Sequence, residues 1–271
     1  MKKQKTGRKN GKYGEYLDQI KKDKTAFTVY VILRLIAILS LIIALLRGHY
    51  ENAIYCVATL FLLLIPAFAE KTFKLELPTA LEVIVMCFVF AHTILGEIGC
   101  FYVKVPWWDT MLHTLNGFIC AGVGFSLVDL LNRHKRFKFE LSPIYVALVA
   151  FCFSMTIGVL WEFFEFGMDM LFDVDMQKDT IIHKINSVAL DTTNSNTVVT
   201  INGINDVSIN GNDLGLNGYL DIGLIDTMKD LIVNFIGAVF FSVSGFFYVK
   251  YRGKKNTRFV EGLVPTPTET K

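Results

Sequence analysis

The sequence predicts an all-α integral membrane protein, a bundle of six transmembrane helices with one large external loop that contains a small β-hairpin. Hydrophobic residues make up 52% of the 271 residues, and charged residues only 19%. The hydrophobic residues collect in long blocks, and the charged residues lie in the gaps between them. Because roughly 20 apolar residues in a helix cross the hydrocarbon core of a bilayer, each block of this length predicts one span.

Six blocks have this character. They cover residues 26–46, 52–69, 80–103, 110–131, 143–172 and 227–250. The first block follows a charged and polar segment and exceeds the ~7–15 apolar residues of a secretory signal. We therefore expect it to be a retained first span rather than a cleaved signal.

Basic residues are distributed unequally between the two sides of the predicted bundle. One side receives the tail 1–25, the second tail 251–271 and the connections after the second and fourth spans, which together hold most of the lysines and arginines. The other side receives Arg47, Lys104, Lys178, Lys184 and Lys229. Positive charge collects on the cytoplasmic side of membrane proteins, so we expect both termini to be cytoplasmic. The composition of the two tails is typical of disordered segments.

The remaining external loop covers residues 173–225. Its centre reads NTVVTINGINDVSING, with β-branched residues on both sides of Asn202 and Gly203. Asn-Gly between such runs favours a two-residue hairpin turn. We expect a β-hairpin here, with a flexible Asn/Gly-rich connector as the alternative.

The five cysteines lie in or at the ends of apolar blocks and show no C-x-x-C spacing. Their spacing therefore indicates neither a zinc ribbon nor a redox motif. We expect them to be small buried hydrophobic residues.

The fifth span carries acids in the segment VLWEFFEFGMDMLF. Glu162, Glu165 and Asp169 stand at positions i, i+3 and i+7, which places them on one helical face. Ionisable residues within a membrane are costly and normally face a bundle interior or a water-filled cavity. The spacing therefore predicts a polar interior at the outer end of this span.

Other spans repeat the pattern at similar depth. The third span has His92 and Glu97, the fourth has Asp109, His113 and Asn116, and the sixth has Asp226, Asp230 and Asn234. Since nearly all of these fall in the predicted outer half, we expect one shared cavity. Arg34 lies alone in the first span, where it either pairs with a cavity acid or extends its head to the interface.

Four fragments of spans three to six follow one another in the order HTILGEIGCFY, WWDTMLHTLNGF, WEFFEFGMD and DTMKDLIVNFIGA. Together they resemble the YjdF-like group of small bacterial inner-membrane proteins, which is similar in outline to the VanZ-like proteins. The resemblance implies a location in a bacterial inner membrane. The resemblance covers spans three to six, and its recurrent polar positions match His92, Asp109, His113, Glu162, Glu165, Asp226 and Asp230. Asn234 stands where relatives can have Asp. The group is largely uncharacterised, so the resemblance implies little about activity.

Two imidazoles with several carboxylates suit a divalent metal such as Zn, Mn or Fe. The first hypothesis is a metal-dependent hydrolase or transferase acting on a lipid-linked or envelope substrate. Its metal ligands would be drawn from His92, His113, Asp109 and Asp226, with Glu162 or Asp230 completing the sphere and Glu165 acting as general base. Asn116, Asp169, Asn234 and Arg34 would line the same cavity.

Two alternatives stay open at this point. An ion- or proton-coupled carrier would use the same acids as a relay. A structural or partner-binding membrane protein would use them only to organise helix packing. The expected surroundings are the lipid bilayer, with no nucleic-acid partner; a homo-oligomer is left open.

Overall fold

The computed structural model describes residues 24–73, 75–133, 141–251, 263–264 and 266–267. Eight α-helices lie in these ranges: α1 Lys24–Leu46, α2 Tyr50–Leu62, α3 Ile65–Phe73, α4 Thr79–Phe90, α5 Phe101–Lys104, α6 Trp108–Arg133, α7 Pro143–Phe172 and α8 Leu224–Lys250. Both predicted disordered tails fall mainly outside the described residues.

Six helical stretches in the described part of the chain are long and apolar enough to cross a membrane. They are Lys24–Leu46, Tyr50–Thr72, Thr79–Ile98, Trp108–Leu131, Pro143–Phe172 and Leu224–Lys250. The predicted all-α architecture with six candidate spans is therefore confirmed. We refer to these stretches below as the first to sixth spans.

The second span is interrupted between α2 and α3. Pro66 is the second residue of α3 and has no N–H to continue the hydrogen bonds of α2. Leu64 N–H instead donates to the Phe61 carbonyl at 3.0 Å, and Phe68 N–H restarts the ladder on the Leu64 carbonyl at 2.9 Å. The span therefore continues as two helical pieces.

The third span ends earlier than residue 103, the end that the apolar block predicts. After α4 the chain forms a π-helical segment, Ala91–Ile98, and then turns at Cys100, whose φ of 58° is left-handed. The short helix α5 follows this turn. Hydrophobicity alone could not locate the turn, because Phe101, Tyr102 and Val103 continue the apolar composition of the span.

Short antiparallel strand pairs complete the fold. The strands are β1 Leu75–Glu76, β2 Ile181–Ile182, β3 Lys184–Ser187, β4 Val199–Asn202, β5 Ser208–Ile209, β6 Asn212–Asp213, β7 Tyr219–Leu220 and β8 Thr266–Pro267. The pairs are β1 with β8, β2 with β7, β3 with β4, and β5 with β6. A 3₁₀ turn, Val188–Leu190, follows β3.

The prediction of a hairpin that turns at Asn202 and Gly203 is wrong in position. β4 pairs upstream with β3, in a register that sets Ile201 opposite Ile185. The tight hairpin joins β5 and β6 through the next Asn-Gly pair, Asn210 and Gly211, whose φ values are 53° and 82°. Two positive φ angles are what a type I′ turn requires. The Asn-Gly signal thus correctly predicts a tight hairpin in this loop. Because β4 pairs with β3, however, the turn forms at Asn210 and Gly211 rather than at Asn202 and Gly203.

The described chain divides into two compact units. One comprises Met1–Thr156 with Val233–Lys271, and the other comprises Ile157–Ile232. In the first unit, Ala121, Phe125, Val146, Ala150, Ala238 and Phe241 are buried together. The Phe125 ring centroid lies 5.9 Å from that of Phe241 and 6.0 Å from that of Tyr248. These contacts align α6 and α8 in parallel.

Candidate functional site

Helices α6 and α8 approach each other closely at two glycines of the first unit. A Cβ atom on Gly117 would lie 2.8 Å from the carbonyl carbon of Asn234, and one on Gly237 would lie 2.9 Å from the backbone nitrogen of Phe118. Neither space could hold a side chain. Small residues allow such backbone contact in membrane helices, where hydrophobic burial does not drive helices together.

Polar side chains are paired at this crossing. Asn116 Nδ2 donates to Asn234 Oδ1 at 3.3 Å, and Asn234 is only 1% exposed. Cys120 Sγ donates to Asn116 Oδ1 at 3.4 Å, and Asn234 Nδ2 lies 3.6 Å from the sulfur of Met155. The two asparagines predicted to line the cavity therefore meet, and their hydrogen bonds fix the register of α6 against α8.

Asp109 and His113 occupy the first two turns of α6. His113 Nε2 lies 3.5 Å from Asp109 Oδ1, and their side chains are 11% and 31% exposed, respectively. Their i,i+4 spacing sets them on one helical face. His113 precedes Gly117 by one turn, so the pair lies just beyond the close crossing. An imidazole and a carboxylate arranged in this way are two ligands that Zn, Mn and Fe accept.

His92 lies in the π-helical segment, and its Nδ1 is hydrogen-bonded to the hydroxyl of Tyr102. The two rings meet edge to face, with centroids 5.8 Å apart. Gly96 makes this contact feasible, because a Cβ atom there would lie 3.0 Å from Tyr102 Cζ. π-Helical turns often occur at functional sites. The turn at Cys100 thus returns Tyr102 to the residue that the sequence singled out.

Arg34 lies on the first span and contacts its neighbours within the first unit. Its Nη1 donates to Tyr30 Oη at 2.7 Å and to the Leu60 carbonyl at 3.3 Å. The guanidinium carbon also lies 5.5 Å from the centre of the Tyr30 ring. These contacts hold the head of Arg34 at this depth. Pairing of Arg34 with a cavity acid remains a prediction.

The second unit carries the two predicted glutamates of the fifth span. Glu162 is 4% exposed and Glu165 is 7% exposed, so both carboxyl groups are buried. Trp161 Nε1 donates to Glu165 Oε1 at 2.8 Å, which fixes the orientation of that carboxyl group. A hydrogen bond from an indole to a buried carboxyl group compensates part of its desolvation. Glu162 and Glu165 therefore occupy environments that water does not reach freely.

Asp169 and Asp226, also in this unit, bind the backbone of the external loop. The two oxygens of Asp169 accept hydrogen bonds from Met176 N–H at 2.6 Å and Gln177 N–H at 2.9 Å. Asp226 Oδ2 accepts one from Lys178 N–H at 2.7 Å. These two acids thus connect the beginning of the loop to the last turn of α7 and the first turn of α8. Asp230, one turn further along α8 than Asp226, is 3% exposed.

The carboxyl groups of the external loop differ in their electrostatics. Partial burial, together with the negative charges of Asp175 and Asp221, raises the pKa of Asp179. Hydrogen bonds from Thr193, Thr197 and Ser195 instead hold the pKa of Asp191 well below its usual range. Neither residue is near a candidate ligand in sequence. Both bear on loop structure rather than on the proposed chemistry.

Sequence reasoning missed Tyr102, Trp161 and Cys120. Tyr102 was assigned to the apolar body of the third span, although Gly96 and Gly99 nearby could have indicated a turn. Trp161 precedes Glu165 by one helical turn, a spacing at which two side chains meet. Cys120 follows Asn116 by the same interval. In each case the useful signal was i,i+4 spacing or a glycine, not hydrophobicity.

Comparison with known proteins supports a membrane assignment and leaves the activity undefined. An uncharacterized protein of Thermotoga maritima is 31% identical over 124 residues, which is 44% of this chain. The chain spans 62% of that relative's length. No solved structure matches the chain.

A family model described as predicted membrane protein (DUF2238) matches residues 28–251. This range contains nearly all of the six candidate spans, and it is consistent with the YjdF-like resemblance. The likeness to VanZ-like proteins and the orientation in a bacterial inner membrane remain predictions. The chain is thus embedded in a lipid bilayer and belongs to the family of predicted membrane proteins DUF2238.

Proposed function

We propose that this membrane protein binds one divalent cation through Asp109, His113 and Asp230 and uses it as a hydrolase or transferase on a lipid-linked or envelope substrate. The observation that carries the proposal is the Asp109–His113 pair, 3.5 Å apart and directly beyond the glycine crossing of α6 and α8. Zn, Mn and Fe are the candidate ions, since all three accept mixed imidazole and carboxylate ligands.

The register of α6 and α8 supports the inclusion of Asp230. His113 lies one turn before Gly117, and Asp230 lies one turn before Asn234 in the continuous helix α8. Gly117 and Asn234 meet within the first unit, and each of them stands one turn after a proposed ligand on its own helix. We therefore propose Asp230 as the second carboxylate of the ligand set.

His92 is the proposed additional ligand. Its Nδ1 is engaged by Tyr102, so Nε2 is the nitrogen that would bind the metal. Metal-bound histidines characteristically use the other ring nitrogen for a hydrogen bond of this kind, which fixes the tautomer and the ring orientation. Tyr102 would therefore act as a positioning residue for His92.

The bound ion would lower the pKa of a coordinated water and supply the nucleophile at neutral pH. Glu165 is the proposed general base, with Glu162 on the same helical face as a further carboxylate. The hydrogen bond from Trp161 would orient Glu165 for this task. Asp226 and Asp169 are used by the external loop, and we place them outside the proposed ligand set.

Metal analysis of the detergent-purified protein tests this proposal. The protein is purified without chelators, loaded in turn with Zn, Mn and Fe, dialysed, and measured by elemental mass spectrometry. We expect a stoichiometry near one ion per chain, and a loss of most of that ion in His113→Ala and Asp230→Asn. His49→Ala is the matched control, since His49 is an exposed histidine outside the spans.

Two results would contradict the metal site. One is a wild-type protein that retains none of the three ions, and the other is full retention in both ligand variants. A wild type without metal, combined with lower thermal stability in the variants, would favour a purely structural role. The satisfied Asn116–Asn234 hydrogen bond is the observation that favours that second reading.

A further inference from the structure

A groove lies between the beginning of α7 and the last turns of α8, within the first unit. Its floor is formed by two small buried residues, Ala147 and Ser242, which are 7% and 6% exposed. Its walls include Ile144 and Leu148 on α7 and Phe247 on α8. All three wall residues are large, apolar and substantially exposed. The groove is therefore a cleft between ridges of exposed hydrophobic side chains.

We infer that this groove binds one acyl chain of an anionic phospholipid. Both helices are candidate spans in a chain of a membrane family, so the groove opens to bilayer hydrocarbon. A gap between apolar side chains forfeits dispersion contacts unless some molecule fills it. A lipid tail is the apolar molecule that surrounds this surface at high concentration.

The size of the groove favours a lipid tail over a helix from a second copy. The cavity volume is 320 Å³. A helix is about 10 Å wide with its side chains, so it could insert only individual side chains into this cleft, whereas a hydrocarbon chain could lie along it. The groove is also at the small end of ligand pockets, which span roughly 300–1,000 Å³. One extended hydrocarbon chain suits this space.

Positive charge at one end of the groove selects the headgroup. Phe246 lines the groove, and Lys250, one turn later, places its Nζ 5.5 Å from the centre of the Phe246 ring. Lys250 is exposed, and it also lies 5.5 Å from the Tyr251 ring. Along the sequence, further basic residues precede α7 at 133–138 and follow α8 at 252–258. Basic side chains next to a span attract anionic headgroups.

The proposed site thus has two separable parts. The small floor residues determine whether a tail enters the groove, whatever its headgroup. Lys250 determines which headgroup is preferred. Phosphatidylglycerol carries a net negative charge, whereas the choline of phosphatidylcholine offsets the charge of its phosphate. One lysine near the headgroup therefore predicts roughly a fivefold preference for phosphatidylglycerol over phosphatidylcholine at low salt.

Native mass spectrometry of the full chain from mixed micelles tests the inference, with phosphatidylglycerol and phosphatidylcholine present in equal amounts. We expect one tightly held lipid per chain in the wild type, mainly phosphatidylglycerol. Ala147→Phe, which fills the groove, should lose it. Ser242→Leu fills the groove from the opposite helix and should also lose it, which guards against a folding defect in either variant. Lys250→Gln should retain a lipid without headgroup preference.

Leu39→Phe provides the matched control, because Leu39 is an exposed hydrophobic residue on the first span, outside this groove. It should bind lipid as the wild type does. Equal lipid retention in the wild type and in both filled variants would overturn the site. Equal retention of the two phospholipids by the wild type would overturn the role of Lys250. A chain that carries no lipid but forms a dimer, which Ala147→Phe disrupts, would assign the groove to a second copy instead.

Discussion

Substitution of Gly117 by alanine tests the packing on which the proposed metal site depends. The new Cβ would lie 2.8 Å from the carbonyl carbon of Asn234 and closer still to its oxygen, whereas ordinary contact begins at 3.4 Å. The obstructing atoms belong to the backbone of α8, so no side-chain rotation can relieve the overlap. The two helices must separate. Overpacking of this kind costs about 1–3 kcal/mol.

Thermal unfolding in detergent, followed by size-exclusion chromatography or intrinsic fluorescence, measures this cost. For a chain of this size the overpacking corresponds to a fall in Tm of roughly 2–6 °C. Gly167→Ala is the matched control, since a Cβ at Gly167 meets nothing within 4 Å. There the better helix propensity of alanine should leave the Tm unchanged or slightly higher.

The same two variants connect packing to function. If the register of α6 and α8 assembles the ligands, Gly117→Ala should also lower the metal content, and Gly167→Ala should not. A Gly117→Ala protein with the same stability and the same metal content as Gly167→Ala would refute the close crossing. Normal stability with lost metal would show instead that the crossing matters only for the site.

Two further predictions concern Tyr102 and Asp191. Tyr102→Phe removes the hydrogen bond to His92, which should lower the free energy of unfolding by about 0.5–1.5 kcal/mol. If His92 is a metal ligand, the same change should weaken metal binding roughly 10–100-fold. Unchanged stability and unchanged metal affinity would contradict the contact. Hydrogen bonds from Thr193, Thr197 and Ser195 lower the pKa of Asp191 in the folded protein. The ionised Asp191 should therefore stabilise the loop fully above its unfolded pKa of 3.8, and this stabilisation should decline as the pH falls below that value. In hydrogen–deuterium exchange at pH 7, Asp191→Ala should increase exchange at 193–197 while leaving the β5–β6 hairpin unchanged; equal protection in variant and wild type would contradict this.

The sequence predicted much of the polar arrangement because helical spacing fixes which side chains share a face. Asp109 and His113 were placed together by their i,i+4 spacing, and they lie 3.5 Å apart. Asn116 and Asn234 were assigned to one interior from depth alone, and they are hydrogen-bonded. Spacing could not reveal that Asp169 and Asp226 bind loop amides, because that depends on where the loop backbone returns.

Local turns were harder to predict than spans. The left-handed turn at Cys100 and the π-helical segment before it have no signature in hydrophobicity, yet together they bring Tyr102 to His92. The loop contains three Asn-Gly pairs, at 202–203, 210–211 and 217–218, and local sequence does not rank them. Because Ile201 pairs with Ile185, Asn202 ends strand β4 and Gly203 follows it. The tight turn forms instead at Asn210 and Gly211, between β5 and β6.

By itself, the sequence determined that the chain crosses a membrane as six helices and which helical faces carry polar residues. These properties follow from the length of apolar blocks and the helical repeat, and neither depends on the neighbours of a helix. Only the tertiary structure decided that α6 and α8 meet at Gly117 and Gly237, that a groove remains between α7 and α8, and which side chains complete each contact. The physical reason is that lipid solvates every apolar face equally well. The choice of partner therefore depends on close packing and hydrogen bonding between specific residues, which hydrophobicity does not encode.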